Sequence, residues 1–531
     1  MATSIPNRAR RVGEYALGAA ALLLAIATPA LAIRGPRPTT PRVLLVGTYQ
    51  GVNGGYRTIQ SAVDSARPGD WILVAPGDYH EQDDHIHGVR WRTPGGVVIT
   101  TGGVHLRGMD RNTVIVDGTK PGSAPCSPSA PAQDLGTTGS NGRNGILVWK
   151  ANNVSVENLT VCNFLAGPNG SSGNEVWWNG GESADRGIGG RGFTGAYLTA
   201  TSTFFSDETT AAQYGIFSSN WSGGTWDYTY ASNFNDSGYY IGACQQVCDQ
   251  TVDHAHAEFN ALGYSGSNSG GQLVVKNSEF DNNKDGFDTN SQNGDNPPPQ
   301  NGECPNGGIS PVTHTHSCWV FMDNYVHDNN NPNVPTAGSA AAGPVGTGMT
   351  ISGGRFDTIM HNRFERNNAW GTAFVFYPDS GAPCTGGLNL SAVCLYDDWG
   401  NALVDNTYSH NGAYGNPTNG DIAELSATAG PSNCFSGNTD TAGALSSSPP
   451  LLEQTKPVCG RTAAPDPDPV FAAEIGCNTQ ISIGGAALPC LPTENYPRRT
   501  AVVMHPLPPG LATMPNVCAG VPTNPWCPAR H

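Results

Sequence analysis

The sequence predicts an all-β solenoid, built of short stacked strands and closed at its N-terminal end by one capping helix. Three observations carry this expectation. One short amphipathic pattern at 58–66 is followed at once by a glycine turn and a strand, with no second convincing helix for hundreds of residues. A loose phrase then recurs: an apolar strand, Asn, an aromatic residue, more Asn, then Gly. A chain of 531 residues also exceeds one ordinary compact core unless the fold is a repeat.

The elements follow in chain order. Residues 1–32 read as a secretory signal peptide: Arg8, Arg10 and Arg11 form the positive region, Leu17 to Ala27 the apolar one, and Ala30-Leu31-Ala32 the cleavage site. No later segment is apolar enough to span a bilayer. Ile59, Ala62, Val63 and Ala66 share one helix face, with Thr58 as N-cap and Pro68-Gly69 as the stop. Trp71 to Val74 form the next strand, ended by Pro76-Gly77. The repeat runs from residue 145, in phrases such as "HAEFNALGYSG", "KNSEFDNNKDGFD" and "MHNRFERNNAWGTAF". Phe234, Phe259, Phe280, Val326, Phe364 and Tyr408 mark its period, which lengthens wherever an insertion interrupts it. Asn accepts left-handed turn conformations and stacks on Asn of the next coil. Residues 441–531 are rich in Cys and Pro and show little periodicity, so they read as an appendage tied by disulfides.

Net charge is −16, and lysine occurs only at 120, 150, 276, 284 and 456. This excludes a nucleic-acid partner. It also excludes a purely electrostatic grip on an anionic polymer unless a cation bridges the two. Fourteen cysteines in an exported chain read as disulfides. The close pairs are Cys304–Cys318, Cys384–Cys394, Cys477–Cys490 and Cys518–Cys527; Cys244–Cys248, Cys126–Cys162 and Cys434–Cys459 complete the set.

The stretch "TIQSAVDSARPGDWILVAPGDYHE" (58–81), with "GVHLRGMDRNTVIVDG" and "NGILVWKANNVSVENLTV" after it, resembles the opening of the pectin-lyase-like superfamily, in its secreted bacterial form. That resemblance implies a right-handed parallel β-helix over residues 43–440. It says little about function, because many unrelated activities occupy this fold.

Insertions at 291–317, 331–346 and 377–399 are expected to wall a groove. Just before the first lies "DNNKDGFDTN". It resembles a segment carrying a catalytic acid in polygalacturonases and a calcium-binding segment in one pectate lyase family. The resemblance implies Asp285 and Asp288 as acid, base or calcium ligands, with Asp281 as a third metal ligand. The polygalacturonase histidine is missing, since Gly346-Thr347-Gly348 stands in its place, and no lysine follows Lys284 before Lys456. Arg355 beside Asp357 is the substitute base, and His314 and His316 are further proton acceptors. Trp221, Trp226 and Trp319, with the pair Trp177-Trp178, are expected to stack on sugar rings. The resulting expectation is a secreted, monomeric enzyme that cleaves an extracellular, uronate-containing polysaccharide by calcium-assisted elimination. The alternatives are a polygalacturonase-like hydrolase and a noncatalytic binding or adhesion protein. No membrane contact is expected after signal cleavage.

Overall fold

A computed structural model describes residues 40–82, 95–135, 142–167, 172–181, 187–380, 383–482, 490 and 492–529. The leader expected at 1–32 lies outside them. No helix among the described residues is long and apolar enough to cross a membrane.

Strands pair in parallel, coil upon coil, along three faces. The first face starts at Val43–Val46 and Trp71–Val74 and ends at Cys434–Ser436. The second runs from Gly77–Tyr79 to Thr439–Asp440. The third is an 11-stranded sheet from Gly95–Ile99 to Ser447–Ser448. Parallel strands joined by short corners cannot fold into hairpins, so each circuit stacks on the one before, and this is the predicted parallel β-helix.

Alternation of side chains fills the interior. Phe280, Val326, Phe364 and Tyr408 stand in register inside the second face. Phe259 departs from the predicted repeat. It has φ 62° and stacks outside the coil on His505 at 3.5 Å, and Ala257 takes the inward position beside Phe280. A period read from aromatic residues alone misses a small inward residue two positions away.

The capping helix Ile59–Ser65 buries Ile59, Ala62 and Val63, and the Thr58 hydroxyl accepts from the Ser61 N–H. Glu81 accepts from the N–H of Ile59 (2.6 Å) and Gln60 (3.1 Å). The Gln60 amide also pairs with both backbone groups of Val98, the outermost strand of the third face. The cap thus satisfies a sheet edge that would otherwise template another chain.

Asparagine ladders hold two corners. Asn260, Asn283, Asn329, Asn367 and Asn411 each donate to the next along the second-to-third corner, at 3.0–3.3 Å. Asn324, Asn362, Asn406 and Asn438 repeat the pattern between the first and second faces. Asn362, 1% exposed, also donates to the Phe321 carbonyl. Asn362→Ala leaves several of these groups unpaired, and urea unfolding is expected to register a loss of about 1–3 kcal/mol.

All seven predicted disulfides are present. The C-terminal segment holds a helix the sequence did not announce, Pro469–Ser482. It lays Phe471, Cys477 and Ile481 over Trp370 and Val345 on the outer third face. Beyond it the chain runs back along the coils. Val503 bonds to Asn333, His505 to Asn233, Leu511 to Asn112, Met514 to Asn158, and Val517 and Ala519 to Arg107. It ends with Trp526 against Tyr49 of the first coil, ring centroids 5.6 Å apart.

Candidate functional site

The insertions rise from two corners of the third face. Residues 291–317 and 377–399 both lie between third-face and first-face strands, and they join through Asn293, whose N–H and side chain bond to Asp379 and the Pro383 carbonyl. Residues 331–346 leave the opposite corner. Between these walls the outward row Trp177, Phe217, Tyr240, Ser265, Asp288, Thr350 and Ala373 runs in register along the axis.

Asp288 is the half-buried carboxylate of this floor, accepting from the Ser352 hydroxyl at 3.2 Å. Asp285, on the same strand, is fully buried beneath Gly343 and accepts from the Thr350 hydroxyl at 2.9 Å. Asp236, two coils earlier, accepts from the Tyr214 hydroxyl at 2.8 Å. Burial pushes Asp288 up to about 7 and Asp236 up to about 7. Burial, and then the charge of Asp288, hold Asp285 well above the usual carboxylate range. Lys284 beside them is pushed down to about 7 by burial, and its ammonium donates to the carbonyls of Ala340 and Ala341, each at 2.8 Å. Tyr377, against Gln292 on the wall, is raised to about 12 by burial and the charge of Asp288. Burial thus raises all three carboxyl groups, the kind of perturbation found at acid–base sites.

Several sequence expectations are corrected. Asp281 lies on the second face, 2.6 Å from His256, so the trio Asp281, Asp285, Asp288 is split. His314 and His316 are exposed, and each bonds only within its own loop, at Ser310 and Gly308. Arg355 lies over Trp399 and donates to the Gly386 carbonyl, so it props the 377–399 insertion and is not a free base. Trp221, Trp226 and Trp319 are each 0% exposed and fill the interior, closed to any sugar. Trp178 is likewise inside, whereas Trp177 points outward and stacks on Phe217 at 4.7 Å. Strand alternation, applied to the pair from the inward Val176, would have sorted them. Tyr214, Tyr240, Tyr377 and Asp236 were missed altogether. Only the fold, with its two-coil offset, places Asp236 beside the Asp285 turn.

The raised acids fix the sign of a pH effect. A carboxyl group whose folded pKa lies above its unfolded value of about 4 contributes stability fully below about pH 4, and loses it as pH rises through about 7. The melting temperature is expected to fall between about pH 5 and about pH 8 in a scanning-fluorimetry series, and Asp236→Asn should flatten that fall. A melting temperature that climbs over this range would contradict the assignment.

A second concavity, of about 520 Å³, lies on the first face between Trp71, His105, Arg107, Ser155, Glu157 and Phe193. Its charges are spent internally: Arg107 pairs with Glu157 at 2.9 Å, and His105 bonds to Ser155 at 2.9 Å.

No family model matches the chain, and no curated protein matches it. Similar solved structures include the A-module of mannuronan C-5 epimerase AlgE6 from Azotobacter vinelandii, at 13% identity over 73% of this chain and 90% of that one, with a TM-score of 0.43. An alginate lyase from Paenibacillus sp. str. FPU-7 is 11% identical over 76% and 97%, TM-score 0.36. Pectate lyase Pel9A is 14% identical over 85% and 89%, TM-score 0.36.

Proposed function

We propose that the protein is an extracellular enzyme that cleaves a polysaccharide by carboxylate acid–base chemistry on its third face. The observation that supports this most is Asp288 itself. It is partly exposed on the floor between the insertions, accepts from the Ser352 hydroxyl at 3.2 Å, and shares its strand with the buried Asp285. Desolvated acids destabilise a fold, so a buried pair of them on one strand, Asp285–Asn290, calls for a reason other than stability. Tyr377, partly exposed on the wall, offers a ring beside the floor for the apolar face of a sugar. Seven disulfides fit an oxidising, extracellular setting.

This reading assigns no calcium to the centre. The ion takes roughly six to eight oxygen ligands. Asp281 faces elsewhere, and Asp236, Asp285 and Asp288 do not form a three-donor cluster among the described residues. No step is therefore routed through a metal. Lys284 points under the 331–346 insertion, and Arg355 is engaged, so neither supplies the base of an elimination. The hydrolase alternative gains accordingly: Asp288 in its protonated form donates to the glycosidic oxygen while water adds to the anomeric carbon, and its buried neighbours Asp285 and Asp236 act only by keeping that proton in place.

The test is incubation with a panel of neutral and uronate polysaccharides, scored for reducing ends and for the absorbance of unsaturated products. Reducing ends without unsaturation are expected. Unsaturated products would replace the hydrolytic reading with elimination, and an inert panel would favour a noncatalytic binding protein.

A further inference from the structure

On the outer second face, away from the groove, three donors gather from two successive strands, and a fourth reaches one of them from the next strand. His256 stands on His256–Glu258, Glu279 and Asp281 on Glu279–Asp281, and His327 on Tyr325–His327. These strands pair in register, placing His256 beside Glu279 and Asp281 beside His327. Ligand atoms of His256, Glu279 and Asp281 all lie within 4.8 Å of one another. The Nε2 atom of His256 is 2.6 Å from Asp281, and that of His327 is 3.0 Å from Glu279. Asp281 is buried and the other three are half-buried, so the cluster opens to solvent.

The ring of His327 makes a sharper point. Its Nδ1 lies 2.8 Å from Asp328, and Asp328 is in turn held by Arg366 at 2.6 Å. Arg366 approaches the same nitrogen only at 3.5 Å. With Nδ1–H donated to Asp328, a neutral ring turns the lone pair of Nε2 toward an oxygen of Glu279. Two acceptors 3.0 Å apart require a cation between them, either a proton or a metal. A carboxylate behind the far nitrogen of a histidine is also the arrangement that orients a metal-binding imidazole. Glu258 adds a further negative charge nearby, with the Tyr230 hydroxyl on it at 2.6 Å. Four carboxylates thus surround two imidazoles, and with Asp328 balanced by Arg366 the other three leave an excess of negative charge for a divalent ion to balance.

We propose that His256, Glu279, Asp281 and His327 form a binding site for a divalent transition metal of the zinc type. Imidazole nitrogen selects such ions over calcium and magnesium, and two nitrogens with carboxylate oxygens suit zinc. The ion ties three consecutive strands of the second face, and through them three coils. The site shares no residue with the acid groove, so it stands or falls independently of the proposed activity.

The test uses the full chain stripped of metal by a chelator, titrated with zinc by calorimetry and with cobalt as a visible-absorption probe. One saturable equivalent is expected, together with a higher melting temperature in zinc. His256→Ala should remove that equivalent, and His327→Ala should weaken it by about 10–100-fold. Each variant should lower the metal-free melting temperature somewhat, because Asp281 or Glu279 loses its imidazole partner, so the readout is the rise in melting temperature that zinc adds to each variant's own baseline. His254→Ala serves as control, because that ring pairs with Asp253 at 2.9 Å in a separate exposed cluster. Absent saturable binding, or binding that survives both variants and is lost in the control, overturns the proposal.

Discussion

Asp288→Asn is expected to lower turnover by about 10²–10⁴-fold, the usual contribution of a positioned acid or base. It should not weaken the fold. The wild-type carboxyl group is desolvated, and it is held near its protonated form by burial, so the neutral amide keeps the shape and removes the cost of ionising. The melting temperature of the variant at about pH 8 should equal or exceed that of the parent. Asp285→Asn behaves differently. Asp285 is fully buried and bonded to Thr350, and its second oxygen has no partner, so an amide there also changes hydrogen bonding under the 331–346 insertion. Sequence reasoning gave the two acids one role. The structure separates them into an open acid and a closed neighbour that raises the cost of charge. Full turnover in Asp288→Asn would remove this acid from the mechanism.

Truncation after Pro497 is expected to be the most damaging change to stability. It removes the strap that returns from the coil of Asn333 to the first coil. Arg107 loses the carbonyls of Val517 and Ala519, and Arg111 loses that of Ala512. Both guanidinium groups are buried, at 5% and 3% exposure, so the lost acceptors are not simply replaced by water. Trp526, 4% exposed, leaves the cluster it forms with Trp71, Leu73 and Met109. Trp526→Ala alone should cost about 3–5 kcal/mol in urea unfolding, and the truncation more. The truncated chain should also self-associate as the outer surface of the first coils opens. An unchanged urea midpoint in a monomeric truncated protein would show that the strap is only an ornament of the surface.

The coil architecture was legible because it is dictated locally. Helix spacing at Ile59, Ala62 and Val63, with a stop at Pro68-Gly69, places the cap, and Asn between short apolar runs places the corners. Cysteine pairing was most legible where the partners are 4 to 14 residues apart and close one loop, and less so for Cys126–Cys162 and Cys434–Cys459, which are 36 and 25 apart. The phase of the repeat was less so: Phe259 advertises a core position that Ala257 holds, because an inward residue at a tight coil need not be large. The helix Pro469–Ser482 escaped notice because its apolar residues cover Trp370 and Val345 only after the solenoid exists, and Gly476 with Asn478 weakens any local helix signal. The site was half legible. Asp285 and Asp288 announce themselves in one short motif, which the structure makes a strand rather than the expected turn, but Asp236, Tyr240 and Tyr377 come near them only through inter-coil register and the fold of an insertion. The three indoles chosen for sugar binding were misplaced because inward and outward positions differ by one residue on a strand.

The central claim is that substrate lies across Asp288 in the third-face groove. The most direct measurement is a crystal structure of the Asp288→Asn variant soaked with an oligosaccharide of the polymer it processes. A sugar ring against residue 288, with a neighbour beside Tyr377, is the predicted result. A saccharide seated instead in the first-face concavity of Trp71 and His105, with the third face bare, would contradict it.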